Sequence, residues 1–247
     1  MTAAGMSLEL DRVRLSYTGA AVIDGLSLAV RPGEILVLTG PSGCGKSTVL
    51  RALAGLLRPD DGRVLADGAE VTATSGDRGM VFQDNALLPW RTVRSNIELA
   101  LRLRGVPRAN RRAQAERWID ELELTGFGHY LPTSLSGGMR QRVQLARGLA
   151  GAPRAVMMDE PFGALDTQTR AAMQRLLIDT WRTHPTTIVF VTHDVDEALA
   201  LGDRIVVLGR AGEPVRAAID VPEPRSDRIA ADLRAEIIGA LDHSVAA

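Results

Sequence analysis

The chain has 247 residues, 45% of them hydrophobic, and a formal net charge of -1. This length allows a substantial buried core, and the charge balance argues against a generally basic protein, so nucleic acid is not an expected partner. The single cysteine excludes an intrachain disulfide. No run of about 18 apolar residues, the length needed to cross a bilayer, occurs. We expect a soluble chain that reaches a membrane only through a partner.

The first segment predicts strands. Residues 8–16 alternate apolar and charged side chains, as a half-exposed strand does. Residues 26–30 predict a second strand, and the apolar run 35–38 predicts a buried third one. Tyr17 ends the first strand, where an aromatic ring could stack on a nucleobase or merely cap the strand. Its position favours neither.

A glycine-rich turn follows the apolar run and precedes an amphipathic helix predicted to reach about Leu57. Here Gly40, Gly45, Lys46 and Ser47 meet the pattern G-x-x-x-x-G-K-[ST] in its strand–turn–helix context. Glycines let N–H groups converge on phosphate oxygens, and the helix N-terminus adds positive charge. Lys46, the only lysine of the chain, would bind the β- and γ-phosphates, and the Ser47 hydroxyl would bind Mg²⁺. The predicted phosphate site comprises Gly40, Pro41, Ser42, Gly43, Cys44, Gly45, Lys46, Ser47 and Thr48.

The middle of the chain predicts short strands at 63–66 and 79–82, the second followed directly by Gln83. Helical patterns over 91–104 and 109–124 then suggest an inserted helical subdomain of about residues 84–153. Its arginine-rich stretch 108–112 is typical of a solvated face. A further helix begins at residues 136–138 and stops at 151–153.

The last third alternates strands and helices. The buried strand 155–158 ends in Asp159 and Glu160, and strand 187–191 ends in Thr192, His193 and Asp194. Helices are predicted over 167–182 and 194–201, and a strand over 204–208. Because unpaired carboxylates are costly to bury, Asp159 and Glu160 are not expected to fill the core. Open α/β sheets bind ligands at the carboxyl ends of their strands, so the two acids are candidates for a binding site. The tail, 211–247, predicts a strand near Val215 and a helix opened by Ser226.

Together these motifs resemble the nucleotide-binding subunit of ATP-binding-cassette (ABC) transporters over roughly residues 8–210. Residues 135–139 are similar to the signature loop, 156–159 to the Walker B strand, and 164–166 to the D-loop. Gln83, Glu160, His193 and Tyr17 match the Q-loop glutamine, the following acid, the switch histidine and the base-stacking aromatic. The resemblance implies an α/β P-loop NTPase: one domain over 1–247 with a mixed sheet core, an antiparallel β subdomain, the inserted helices and a short extension over 211–247.

The resemblance also implies ATP and Mg²⁺ as cofactors. Ser47 and Gln83 would ligate the metal, with Asp159 supporting it directly or through water. Glu160 would orient or deprotonate the attacking water, and His193 would contact the γ-phosphate. Lys46 and Gln83 complete the expected catalytic set.

A second anion site is expected at Ser136, Gly137 and Gly138, where N–H groups begin a helix. By resemblance it serves ATP held by another copy, so two chains would sandwich two nucleotides, with Asp166 at their interface. Met139 replaces the commoner signature glutamine, so a side-chain hydrogen bond to the ribose would be absent.

The stretches 81–90 and 135–142 look most like importers of nitrate, sulfonate, taurine and related compounds. The expected partners are a second copy, permease subunits and, indirectly, a solute-binding protein, with the chain peripheral on the cytoplasmic face of the membrane. Leu87, Leu88 and Trp90 would contact the permease unless they pack within the helical subdomain. The alternatives are an exporter ATPase, a soluble ABC-type ATPase and a P-loop kinase. A P-loop kinase would lack the signature loop that this sequence has.

Overall fold

Two β-sheets form the centre of the protein in the computed structural model, which describes residues 5–17, 20–83, 86–222, 224–225 and 231–242. The antiparallel sheet has the strand order β2 (Ala20–Val30), β1 (Leu8–Tyr17), β4 (Asp61–Ala66), β5 (Ala69–Glu70). The larger sheet has the order β10 (Val215–Asp220), β9 (Arg204–Leu208), β3 (Ile35–Thr39), β8 (Thr187–Val191), β7 (Ala155–Asp159), β6 (Arg78–Val81). All of its pairings are parallel except that of β10 with β9, so the sheet is mixed.

The helices lie close to their predicted positions. They are α1 (Lys46–Ala54), α2 (Val93–Leu103), α3 (Arg108–Glu121), α4 (Gly137–Leu149), α5 (Thr167–Thr183), α6 (Val195–Leu201) and α7 (Ala231–Asp242), with a 3₁₀ turn at Pro132–Ser134. None of the helices in the described ranges combines the length and apolarity needed to span a membrane.

Two predicted boundaries were wrong. Helix α1 ends at Ala54, not at Leu57, because Gly55 adopts the left-handed conformation (φ 79°) that closes a helix. The amides of Leu56 and Leu57 fold back onto the carbonyl of Arg51. Strand β2 begins at Ala20 rather than residue 26, paired with β1 through several register shifts.

Side chains of the central parallel strands alternate between two cores, as a period of two requires. On β3, Ile35 and Val37 pack with the helical side, whereas Leu36 and Leu38 pack with α1 and the antiparallel sheet. The same alternation holds along β7, β8 and β9. These strands are therefore buried on both faces, which explains their continuous apolar sequences.

Helices α2, α3 and α4 occupy the sequence between β6 and β7 and pack against one another. Asn96, fully buried on α2, ties this region together: its side chain accepts from the Leu88 amide (2.9 Å) and donates to the carbonyls of Leu88 and Arg91. Leu87 is 7% exposed and belongs to the core. Its expected contact with a partner was therefore wrong, and packing accounts for it.

Helix α7 packs on β10 and α6. Ile237 is fully buried there, with Leu233 and Leu241 against the same core. The predicted start at Ser226 lies outside the described residues.

Candidate functional site

The carboxyl ends of β3, β6, β7 and β8 meet at one edge of the larger sheet because these strands run parallel. The phosphate loop follows β3, Gln83 lies two residues beyond β6, Glu160 follows β7 and His193 lies just beyond β8. The topology thus gathers on one edge residues that are up to 153 positions apart in sequence (Gly40 to His193).

The phosphate loop is shaped by glycines in conformations that other residues avoid. Gly40 has φ 147° and Gly45 φ 102°, and a Cβ at Gly40 would lie 2.8 Å from the Leu208 carbonyl oxygen. Gly45 caps α1 without any side-chain hydrogen bond. The first-turn amides of α1 are therefore free of a side-chain cap and can donate hydrogen bonds to an anion.

Lys46 lies against this loop and is 9% exposed. Its Nζ donates to the carbonyl oxygens of Gly40 (2.8 Å) and Pro41 (3.0 Å). In this arrangement, main-chain oxygens rather than a carboxylate hold the ammonium. Its charge is consequently available to a phosphate placed in the loop.

Ser47 and Asp159 form the direct link between α1 and β7. The Ser47 hydroxyl donates to Asp159 Oδ1 at 2.9 Å. Burial raises the pKa of the Asp159 carboxyl, with the nearby Glu160 charge acting in the same direction and the Ser47 hydrogen bond opposing it. Two oxygen ligands are thus held side by side at a position where ionising the carboxyl is costly in the absence of a cation.

Glu160 stands where three elements converge. Its backbone is in the left-handed region (φ 40°), a costly conformation for a residue with a side chain, and its amide donates to the Val191 carbonyl at 3.1 Å. Glu160 Oε2 lies 3.2 Å from His193 Nδ1 and 3.5 Å from Gln83 Nε2, the second at the limit of hydrogen bonding. Glu160 is therefore within reach of two other predicted catalytic side chains, His193 and Gln83.

Ser136 and Asp166 lie at a different place, the adjoining N-termini of α4 and α5. Ser136 Oγ accepts from the Met139 amide at 3.2 Å, and Asp166 accepts from the Thr169 amide at 3.0 Å and its hydroxyl at 2.6 Å. A Cβ on Gly138 would lie 2.8 Å from Thr169 Cγ2, so the helix starts touch. The Thr169 hydrogen bonds lower the pKa of Asp166. We call residues 136–138 and 166 the signature corner.

Known proteins are similar to this chain over most of its length. The ABC transporter family model matches residues 23–163. The taurine import ATP-binding protein TauB of Chromobacterium violaceum is 47% identical over 204 residues, 82% of this chain and 78% of that protein. An uncharacterised ABC transporter ATP-binding protein of Methanocaldococcus jannaschii is 45% identical over 227 residues, 90% and 85% of the two chains. This chain belongs to the ABC transporter family.

A solved structure agrees with the fold of this ABC subunit. The dimeric post-hydrolysis state of the ATP-binding cassette MJ0796, bound to ADP and Pi, is 31% identical and superimposes with a TM-score of 0.76, covering 87% of this chain and 99% of that one. The predicted fold, an ABC-type P-loop NTPase with a mixed sheet, an antiparallel sheet and inserted helices, is confirmed. The chain is an ATPase of this family.

The remaining predicted residues lie in or near the phosphate loop of the ABC ATPase, or at the end of β1. Cys44 is 2% exposed, and its Sγ lies 3.9 Å from Lys46 Nζ, so its buried side chain packs beneath the phosphate loop. Thr48 is buried on α1, whereas Ser42 and Gly43 are exposed at the tip of the loop. Tyr17 ends β1 opposite Ala20; its side chain lies outside the described part, and its stacking role stays a prediction.

Sequence reasoning missed a group of polar residues behind the switch histidine, namely Arg170, Gln174, Thr192, Asp194 and Glu197. Only Asp194 carried a signal, because Asp directly before a helix is a favoured N-cap. It accepts from the amides of Asp196 and Glu197 at 3.0 and 3.1 Å. The burial of Glu197, 4% exposed, had no sequence signal.

Proposed function

We propose that this ATPase energises an ABC importer for a small anionic or zwitterionic solute of the taurine, sulfonate or nitrate type. The observation that carries the proposal is the 45–47% identity to taurine import ATP-binding proteins over four fifths of the chain. We further propose one ABC domain over residues 1–247, with the helical subdomain at about 84–153 and a short extension from 211, bound peripherally at the cytoplasmic face of the membrane.

ATP is proposed to bind at the phosphate loop with its triphosphate against the first turn of α1. The loop supplies main-chain donors, and Lys46 supplies a charge that now rests on two carbonyl oxygens. Moving Nζ to a phosphate oxygen exchanges two neutral acceptors for a charged one, and such hydrogen bonds are about twice as strong. Tyr17 is proposed to stack on the base.

The residues present fit Mg²⁺ brought in with the nucleotide. Within the described residues no group of three or more His, Cys, Asp or Glu side chains could hold a metal by itself. Mg²⁺ usually takes one or two protein oxygens and completes its shell with phosphates and water. Ser47 and Gln83 would ligate it, with Asp159 2.9 Å behind the Ser47 hydroxyl. The ion would neutralise charge on the β- and γ-phosphates.

Hydrolysis is proposed to use the contact between Glu160 and His193. The Glu160 carboxylate would orient a water and take its proton as the water attacks the γ-phosphate in line. His193, with its side chain 66% exposed, is free to turn from Glu160 Oε2 to a γ-phosphate oxygen. Gln83 lies 3.5 Å from the same carboxylate oxygen. Its side chain would move when nucleotide binds and would transmit that change to the helices that follow it in sequence.

Dimerisation is proposed to complete the site. The Ser136, Gly137 and Gly138 amides would bind the γ-phosphate held by a second copy, as the dimeric state of the MJ0796 cassette makes reasonable. A Cβ on Gly137 would meet nothing within 4 Å, so its surface is open to such an approach. Asp166 would lie at the same interface.

A permease is the proposed membrane partner, contacted by exposed apolar side chains between β6 and the end of α2. Trp90 and Leu103 are each 73% exposed and Phe82 is 37% exposed, which is unusual for large apolar groups without a partner. Replacing Trp90 by Ala should reduce transport in the assembled complex while leaving basal hydrolysis unchanged. The matched control is Leu56→Ala, which removes an apolar group that is 51% exposed in the turn after α1.

The import assignment is tested by reconstituting the chain in liposomes with the permease and solute-binding protein encoded beside it. ATP-dependent uptake of taurine, a sulfonate or nitrate is expected, with an ATPase rate that rises when the loaded binding protein is added. Efflux of a solute, or hydrolysis unaffected by any permease, would contradict import and favour the exporter or the soluble alternative.

A further inference from the structure

One arginine side chain joins the segment before α5 to the segment before α6. Arg170, on the first turns of α5, donates through Nη2 to the carbonyl oxygen of Leu165 at 3.1 Å. Through Nη1 it donates to Asp194 Oδ2 at 3.0 Å. Leu165 directly precedes Asp166, and Asp194 directly follows His193. A single planar group thus links the D-loop to residues 192–194 of the same chain, the loop between β8 and α6 that we call the switch loop.

Asp194 is held at both carboxylate oxygens. Oδ1 accepts the amides of Asp196 and Glu197 at the start of α6, while Oδ2 accepts Arg170. The Asp194 amide in turn donates to Thr192 Oγ1 at 3.0 Å. The residues on either side of His193 are therefore fixed by hydrogen bonds, although the His193 ring itself is largely exposed.

A second connection from α5 reaches the first turn of α6. Gln174, one turn beyond Arg170, donates through Nε2 to Glu197 Oε1 at 3.0 Å. Burial raises the pKa of Glu197, against hydrogen bonds from Thr192 and Gln174 that lower it. The Thr192 hydroxyl is consequently shared between Glu197 and the Asp194 amide. Arg170 and Gln174 of α5 thus bond to Asp194 at the end of the switch loop and to Glu197 in the first turn of α6.

The charges that face this cluster come from α5, α6, α7 and the loop between β8 and α6. Arg170 is the cation bonded to Asp194 and lies near Glu197. Arg234 on α7 bonds to Asp196 and adds positive charge near Asp194. Asp166 lies at the start of α5, bonded to Thr169, and Glu160 contacts His193 from the other side. Arg170 is therefore placed between the acid that would sit at the dimer interface and the histidine that would contact phosphate.

We propose that Arg170 is a positioning residue that fixes His193 relative to the D-loop, with Gln174 and Glu197 as its second support. The inference rests on the proposed roles of His193 and Asp166. When a second chain meets the D-loop, displacement of the Leu165 carbonyl is transmitted by the guanidinium to Asp194 and so to His193. A lysine cannot replace this action, because one ammonium lacks the planar fork that reaches two acceptors in fixed directions.

The consequence is a separation of binding from turnover. The hydrogen bonds of Arg170 go to Leu165 and Asp194 and not to the phosphate loop, so its loss should leave nucleotide affinity nearly unchanged while lowering kcat. The test compares Arg170→Gln and Arg170→Lys with Arg175→Gln, which removes an exposed arginine of the same helix. Asp194→Asn keeps an N-cap, since Asn and Asp cap equally well, but removes the charge that Arg170 binds.

The measurements are kcat for ATP hydrolysis by the full chain, the Kd for ATP with Mg²⁺ and the melting temperature. We expect Arg170→Gln and Arg170→Lys to lower kcat about tenfold, the effect of losing one charged hydrogen bond. The Kd should stay within about twofold, and Arg175→Gln should match the wild type. The double variant Arg170→Gln/Asp194→Asn should be no slower than the slower single variant, because contacting residues are not additive.

Three outcomes would overturn the inference. Wild-type kcat in Arg170→Gln would remove its role, and additive losses in the double variant would deny its action through Asp194. Parallel losses of nucleotide affinity, melting temperature and kcat would indicate general structural damage instead. His193→Ala separates the two levels: an active wild type with unimpaired His193→Ala refutes the role of the histidine itself, whereas an impaired His193→Ala beside a normal Arg170→Gln refutes only the positioning role.

Discussion

The phosphate loop and the signature corner both present the N-terminus of a helix, yet they differ in how complete they are. At the phosphate loop, Lys46, Ser47 and Asp159 are mostly buried and bonded across three elements. At the signature corner, Ser136 and Asp166 are exposed and bond only to the first turns of their own helices. Folding of a single chain therefore completes the first region, whereas the polar groups of the second remain exposed to a partner surface.

The two regions also differ in whether their charged groups are destabilised or stabilised in the nucleotide-free protein. At the phosphate loop a buried carboxyl and the strained Glu160 backbone are costs that a bound cation and nucleotide can relieve. At the signature corner hydrogen bonds already stabilise the ionised Asp166, as its lowered pKa indicates. We therefore expect the first region to govern affinity and chemistry, and the second to govern dependence on a second chain.

The largest expected effect comes from Glu160→Gln. Removing the proposed base should lower kcat about 10²–10⁴-fold, the usual worth of a positioned acid or base. Binding of ATP should persist, because the donors of the phosphate loop remain, and the variant should accumulate as a closed dimer detected by size-exclusion chromatography with light scattering. Glu70→Gln, an exposed change on β5, is the control. A turnover equal to the wild type would remove Glu160 from catalysis.

A smaller effect is expected from Gly137→Asp. A side chain fits there without a clash, but its charge would repel the phosphate of the facing chain. Hydrolysis should fall about 10–10²-fold, somewhat less than the loss of a transition-state donor can cost, while a single chain should bind ATP normally.

Gly137→Ala is the matched control for that change, since it adds a Cβ without the charge. We expect near wild-type kcat from it. Equal inactivation by both variants would mean that the space, and not the charge, matters. An unaffected Gly137→Asp would show that no phosphate approaches the signature corner.

The smallest effect concerns thermal stability and contrasts Asp159 with Asp166. Because the folded-state pKa of Asp159 is raised above 3.8, its ionised form destabilises the nucleotide-free protein once the pH rises through that pKa. Asp159→Asn should therefore raise the melting temperature at pH 7.5, by about 2–4 °C if the penalty is about 1 kcal/mol. The gain should shrink as the pH is lowered towards 4.

Asp166→Asn should have the opposite sign. The folded-state pKa of Asp166 is depressed, so its stabilisation is present above about pH 4 and is lost as the pH falls through the folded value. Differential scanning calorimetry at several pH values would measure both variants. Shifts of the same sign in both would contradict the contrast between the two regions.

Much of this arrangement was predictable because it follows from local patterns. Continuous apolar runs predicted β3, β7 and β8, and parallel pairing then brought their carboxyl ends, with Asp159, Glu160 and His193, to one edge. The motif spacing identified the phosphate loop. The role of Gln83 came from resemblance alone, whereas the helix start at Ser136 also predicted an anion site from local chemistry.

What escaped prediction depends on contacts between distant segments. The bonds of Arg170 to Asp194 and of Gln174 to Glu197 require the packing of α5 on α6, which no periodicity encodes. Leu87 was expected at a partner contact because of the family resemblance, yet it fills the core beside α2, as the packing alternative required. The end of α1 was placed too late because leucines at helical spacing outweighed a single glycine that adopts a left-handed turn.

The alternation of side chains along β3, β7, β8 and β9 has a consequence for how the molecule melts. Each of these strands contributes to both hydrophobic clusters, so neither cluster can dissolve while the other persists. Occupancy of the sheet edge by a ligand would then protect both halves together, and heat would release them in one cooperative step.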